Sequence, residues 1–293
     1  MSRIVAVATV LDPPPQTEAA LRALAKQVQG VVAVDDGSSV PVSLPGVEVI
    51  RHETNLGIAA ALNAGVRAAA AQGATHVLTV DQDSQFPEDY VARLLAAWLR
   101  AEAQGLTPAA MGAAEFSGLS HQGAWHDGVM TVPESIQSGT LFSLDALNSV
   151  GGFDESLVID GVDTDACLRL ADHGYDICVA PVRFDHALGE GHFVSVFGHP
   201  VWASGHAPFR RYYITRNGLL LLRRHGRRHP RWAVVSARRL VVASVLAAGS
   251  LAQRAAMRAG VKDALRGRKG HLGEARRAQW ATRVVAGRGL QSR

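Results

Sequence analysis

The chain of 293 residues has only two cysteines, Cys167 and Cys178, and they match neither a disulfide framework nor a metal-ligand spacing. A stapled scaffold and a cysteine zinc site are excluded; both thiols read as packing residues, and a reducing compartment fits. Long apolar runs are missing as well. The run Leu240 to Ala248 is nine residues, against the roughly 20 needed to span a bilayer. The opening residues, Met1-Ser2-Arg3-Ile4-Val5-Ala6-Val7, lead straight into a strand-like segment and then Asp12-Pro13-Pro14-Pro15. That leaves no room for a signal-peptide core and cleavage site, so a cytoplasmic protein is expected. Acid is scarce where base is abundant: residues 207–293 hold 21 Lys/Arg and only Asp263 and Glu274, a balance of +19, whereas residues 1–206 hold 9 Lys/Arg against 24 Asp/Glu, a balance of −15. No zinc spacing, RNA-recognition motif or helix-turn-helix accompanies the basic segment, so its charge does not by itself indicate nucleic acid.

With 47% hydrophobic residues, the chain can bury a full core. Its first 110 residues alternate between two periods. Ile4 to Val10, Val31 to Val34, Val47 to Ile50 and Val77 to Val80 are short β-rich runs; Glu18 to Gln29, Gly57 to Ala71 and Pro87 to Ala103 have helical spacing, the second interrupted by Gly65. Strands alternating with helices predict a mostly parallel α/β sheet. Further on, Met111 to Glu115 and Ser138 to Leu144 look strand-like, and Gly118 to Gly128 looks like a loop.

Two of these strands end in acid: Asp35-Asp36 follows Val31 to Val34, and Asp81-Gln82-Asp83 follows His76 to Val80. Neighbouring carboxylates repel and are costly to desolvate, so acids at strand ends point to a hard cation or a polar ligand. Ligands of open α/β sheets bind outside the carboxyl ends of the strands. The alternative is a pair of solvated loops. Between the two lies Asn55-Leu56-Gly57, which could cap the following helix and expose amide donors to a phosphate or base. Later, Gly151-Gly152-Phe153-Asp154 precedes Asp160-Gly161-Val162-Asp163-Thr164-Asp165. Capping accounts for one carboxylate there, and a second near a helix N-terminus suits a general base. Pro181 to Phe184 then ends in Asp185-His186, a strand end whose histidine suits a metal ligand.

This ordered set, continuing through Tyr212-Tyr213-Ile214-Thr215-Arg216-Asn217, resembles the inverting family 2 glycosyltransferases with the GT-A fold, and within them bacterial rhamnosyltransferases that use dTDP-L-rhamnose. The likeness covers roughly residues 3–190. It implies a Rossmann-like, mixed but mostly parallel sheet flanked by helices over residues 1–206, with a basic helical extension over 207–293. It further implies Mg²⁺ or Mn²⁺ on Asp83, with His186 completing the metal or pyrophosphate site, Asp81 near the ribose or just behind the metal ligands, Gln82 beside the sugar nucleotide, and Asp35 or Asp36 on the pyrimidine N3–H. Asn55 and Gly57 would lie on the same nucleotide site, Arg216 would reach the pyrophosphate, and Asp163 rather than Asp160 or Asp165 would be the catalytic base. Such an enzyme would move L-rhamnose to a polyprenyl-linked or glycan acceptor in cell-envelope synthesis. A UDP-sugar transferase, for example for galactofuranose, or a non-catalytic binding protein are the other readings.

The arginine-flanked helical segments over 218–258 fit an anionic leaflet, and hence a peripheral place at the inner face of the bacterial plasma membrane. Packing on the catalytic part, or a homo-oligomer contact, is the alternative use of the same apolar surface.

Overall fold

The computed structural model describes residues 2–186, 191–196, 199–204, 206–246 and 250–273. The chain divides into two compact units, Met1–Glu155 with Val162–Ala187, and Ser156–Gly161 with Leu188–Arg293.

The first unit is built on β1 (Ile4–Val10), α1 (Gln16–Ala25), β2 (Gly30–Asp35), β3 (Glu48–Arg51), α2 (Ile58–Ala71), β4 (His76–Asp81), β5 (Ser84–Gln85) and α3 (Tyr90–Ala103). It continues through β6 (Pro108–Phe116), β7 (Leu119–Ser120), β8 (Met130–Thr131), β9 (Thr140–Ser143), α4 (Leu144–Ser149), α5 (Val162–Asp172) and β10 (Asp176–His186). The sheet runs β3-β2-β1-β4-β9-β6-β10-β5, with β7 on β6 and β8 on β10. Strands β3, β2, β1 and β4 are mutually parallel, as are β6 and β10. Strand β9 is antiparallel to both β4 and β6, so the carboxyl ends of β1, β2, β4, β6 and β10 share one edge. The mostly parallel sheet expected from the residue pattern is what the chain forms, and β9 makes it mixed, as the family resemblance implies.

All seven residues of β1 are buried, as a central strand covered on both faces requires. The pleat divides them: Ile4, Ala6 and Ala8 join Val31, Ala33, Leu78 and Val80 in a core with Leu21 and Leu24 of α1 and Leu94, Ala97 and Trp98 of α3. The opposite face meets α2. There a Cβ on Gly65 would lie 2.2 Å from Val7 Cγ1, so the glycine that interrupts the alanine-rich pattern is the point of closest helix-to-strand approach.

Helix α1 starts earlier and stops sooner than its spacing predicts. Gln29 exchanges hydrogen bonds with Ile4, its N–H donating to Ile4 O at 2.9 Å and its Oε1 accepting from Ile4 N at 2.7 Å. That pairing commits Gln29 to the sheet edge rather than to a last helical turn. Cys167 and Cys178 are buried and free, and burial pushes each thiol up to about 12.

The second unit contains β11 (Gly191–Val196) and β12 (His199–Ser204), an antiparallel pair, followed by α6 (Pro208–His225), α7 (Pro230–Leu246) and α8 (Leu251–Leu265). It also takes in the segment Ser156–Gly161, so the division differs from a single boundary after residue 206. The cause is on α6. Asn217 Nδ2 donates to the carbonyls of Leu157, Ile159 and Asp160 at 2.8–2.9 Å, and the Arg216 guanidinium donates to those of Ser156, Leu157 and Gly270. Inside the same segment Val158 and Asp160 have φ of 68° and 65°, a region that β-branched residues rarely enter. These side-chain donors compensate that strain.

Candidate active site

Parallel register brings the two acidic strand ends together. In β1, Val10 pairs with Asp35 of β2 and Thr9 with Asp81 of β4. The pairs expected at one edge therefore flank the carboxyl end of the same central strand.

The two members of the first pair differ. Asp35 is fully buried and accepts from Ser38 N at 2.8 Å, Val42 N at 3.2 Å and the Arg51 guanidinium. Burial alone would raise its carboxyl, but the bonds from Ser38, Val42 and Arg51 outweigh it and hold the group below 3.8. Asp36 accepts from Leu56 N at 2.9 Å and Gly57 N at 2.8 Å, and contacts His52 Nδ1 at 2.8 Å. Helix α2 begins after Gly57 with no side-chain cap of its own, and Asn55 is exposed. This corrects the expectation of Asn55 as a cap with free amides beside it, because the Asp36 carboxylate already takes the amides of Leu56 and Gly57. Three of its roughly four acceptor sites are then in use.

At the second strand end, Asp81 N donates to Ser138 Oγ at 3.0 Å and its Oδ1 accepts from Gln137 Nε2. Gln82 faces the other way. Its amide accepts from Leu11 N at 2.7 Å and donates to Leu11 O at 3.2 Å, while its carbonyl accepts from Thr17 Oγ1 at 2.8 Å. The Gln82 side chain thus ties the end of β4 to the exit of β1. Asp83 is half-buried, and the next residue, Ser84, pairs across the sheet with His186. Backbone register thereby sets the His186 position beside Asp83. The side chain of His186 lies outside the described ones.

Of the three acids around the start of α5, Asp165 is buried and donated to by Arg169 Nε at 2.7 Å. The same guanidinium donates to the carbonyls of Val150 and Gly152. Asp160 belongs to the other unit, where Arg210 Nε donates to it at 3.1 Å and burial raises its carboxyl against the pull of Arg210 and Arg211. Asp163 is half-buried in the first turn of α5 and accepts from Thr164 N at 2.8 Å. Thr164 Oγ1 in turn donates to Glu134 at 3.0 Å, at the start of the turn that carries Gln137 and Ser138 to Asp81.

Arg216 is 1% exposed, spends its donors on carbonyls of its own unit and packs on the rings of Tyr212 and Tyr213. The family resemblance places Arg216 on a pyrophosphate; in the structure its guanidinium holds Ser156–Gly161. Glu134, Gln137 and Ser138 have no signal in the motif pattern. They matter through a turn that meets β4 more than fifty residues away in sequence.

The profile described as glycosyl transferase family 2 matches residues 14–142. The dTDP-rhamnosyl transferase RfbF of Shigella flexneri is 30% identical over 213 residues, 67% of this chain and 71% of that protein. The chain belongs to glycosyl transferase family 2. Among solved structures, S. aureus TarS 1-349 is similar with TM-score 0.46 and 18% identity over 63% of this chain and 60% of that one. GalNAc-T7 with UDP, GalNAc and Mn²⁺ is similar with TM-score 0.48 and 14% identity, over 64% of this chain and 44% of that one. The chain spans less than two thirds of either solved structure.

Proposed function

We propose that the protein transfers L-rhamnose from dTDP-L-rhamnose, with inversion, to a hydroxyl of a polyprenyl-linked or glycan acceptor. The observation that carries this is the flanking of Thr9-Val10 by Asp81 and Asp35-Asp36 at the carboxyl edge of the parallel strands, where open α/β sheets bind ligands, together with the similarity to a dTDP-rhamnosyl transferase.

Asp163 accepts the proton of the acceptor hydroxyl as that oxygen attacks the anomeric carbon in line. The bond to the pyrophosphate oxygen breaks, and the proton ends on the Asp163 carboxylate. Of the first acidic pair, Asp36 takes the pyrimidine N3–H with its remaining acceptor site, while Asp35 fixes the loop through Arg51. Uracil and thymine both present that N–H, so this contact does not choose between dTDP and UDP. Asp83 and His186 would hold a divalent ion, an oxygen and nitrogen donor set that suits Mn²⁺ or Mg²⁺ completed by phosphate oxygens. Such an ion supplies charge neutralisation to the leaving pyrophosphate.

The second unit supports a peripheral seat on an anionic membrane. On α7, Val234, Val241 and Val245 recur at helical spacing and are 63–71% exposed, interleaved with Arg231, Arg238 and Arg239. Among the described residues, no helix is long and apolar enough to cross a bilayer.

The test incubates purified protein with Mn²⁺ or Mg²⁺, a panel of dTDP- and UDP-sugars and lipid-linked acceptors, with product scored by mass. Rhamnosyl product that vanishes with EDTA is expected. Product from UDP-sugars alone overturns the donor assignment, and nucleotide binding without turnover on any acceptor favours a binding protein.

A further inference from the structure

Gln137 is 6% exposed and has one half of its amide engaged. Nε2 donates to Asp81 Oδ1, whereas Oε1 is buried and accepts from no described residue. An amide donates only through nitrogen and accepts only through oxygen. With a carboxylate on one side, the Gln137 orientation is therefore fixed by chemistry, and the atom left over is an acceptor. A buried acceptor without a donor costs free energy that an apolar side chain of equal volume would avoid.

The turn beneath it is held tightly. The Gln137 carbonyl accepts from Thr79 Oγ1 and from Thr140 N at 3.1 Å, and Gly139 N donates to Thr79 O at 2.8 Å. Tyr90 Oη donates to Gly139 O at 2.6 Å, and Ser138 Oγ lies 2.7 Å from Ser84 Oγ. Gly139 has φ +74°, and a Cβ there would lie 2.6 Å from Tyr90 Oη. A packing residue needs no such frame, but a recognition group does.

We propose that Gln137 is a donor-recognition residue: its Nε2 fixes the Asp81 carboxylate, and its Oε1 accepts an O–H that arrives with the bound nucleotide and its divalent ion. Carboxylate and carbonyl then form a paired acceptor for hydroxyl hydrogens. The inference rests on the reading of this edge as a sugar-nucleotide site. The same O–H chemistry has two sources, a sugar hydroxyl of the nucleotide or a water on the divalent ion.

Calorimetric titration of dTDP into the parent and into Gln137→Leu, with Mn²⁺ and with EDTA, separates them. Roughly tenfold weaker binding is expected for a lost pair of hydrogen bonds. Loss in both buffers assigns the sugar hydroxyl, and loss only with Mn²⁺ assigns the ion's water. Donor KM should rise about as much while kcat holds within roughly threefold, the signature of a binding contact. Gln137→Met fills similar volume and serves if the leucine variant does not fold. Parental affinity in a folded variant, or a fall in kcat at unchanged KM, overturns the proposal. A parent protein that binds neither dTDP nor UDP refutes the sugar-nucleotide reading instead.

Discussion

Arg169 donates to Asp165 at 2.7 Å, one turn along α5, and this pair separates two acids that the sequence sets two residues apart. Asp165 is consumed in the pair, whereas Asp163 remains half-buried at the helix start. Replacing Asp163 by Asn should lower transfer by about 10²–10⁴-fold with donor affinity and melting temperature preserved. Asp165→Asn should instead cost on the order of 3 kcal/mol of stability, because it leaves the Arg169 charge unmatched in a buried setting. Turnover, nucleotide titration and thermal melts on the two variants check this. Full activity in Asp163→Asn would move the base elsewhere.

Gly65→Ala sets helix propensity against packing. Alanine gains about 1 kcal/mol in a helix interior, but the new methyl would meet Val7 Cγ1 at 2.2 Å, and overpacking typically costs about 1–3 kcal/mol. A net loss of stability is expected in denaturant unfolding. Combining it with Val7→Ala should restore part of the loss, since the two sites touch.

Arg216→Lys isolates the work of the buried guanidinium. A lysine cannot reproduce the fork that reaches the carbonyls of Leu157 and Gly270. Stability should fall by roughly 3 kcal/mol while donor KM in the residual folded protein stays put. A rise in donor KM at unchanged stability would return Arg216 to the pyrophosphate.

His206 gives the second unit a pH dependence. Burial, and then Arg210 and Arg211, hold its imidazole down at about 4 from an ordinary 6.5. Between those values the unfolded chain binds the proton and the folded chain does not, so stability rises with pH across that window and falls as pH drops from 6.5 toward 4. Asp160 has the opposite sign: its raised carboxyl favours the fold below 3.8 and loses that advantage as pH rises through its folded value. His206→Gln should flatten the decline between pH 6.5 and 4 in denaturation midpoints. An unchanged slope would assign the decline to other groups.

The alternation of periods in the first 110 residues was enough to place β1, α2 and β4, because buried parallel strands and alanine-rich helices carry their burial in their own residues. Strand β9 is different. Its four residues look strand-like, but nothing in their pattern tells that they run against β4 and β6. The acids of the site were legible for the same local reason, since Asp35, Asp36, Asp81 and Asp83 stand directly after apolar runs. What each carboxylate does was not, because Arg51, Gln137 and the amides of Leu56 and Gly57 reach it from other segments. The burial of Arg216 was not legible for a related cause: its carbonyl partners lie about sixty residues upstream and, at Gly270, beyond α8.

The carboxamide of Asn217 holds a stretch of backbone 57–60 residues upstream, and this constrains how such a protein can be recombined. A chimaera that exchanges the tail at one junction would pair an incoming α6 with a foreign Ser156–Gly161 segment. Functional exchange of the second unit therefore needs two crossovers, with residues 156–161 travelling alongside the helices that grip them.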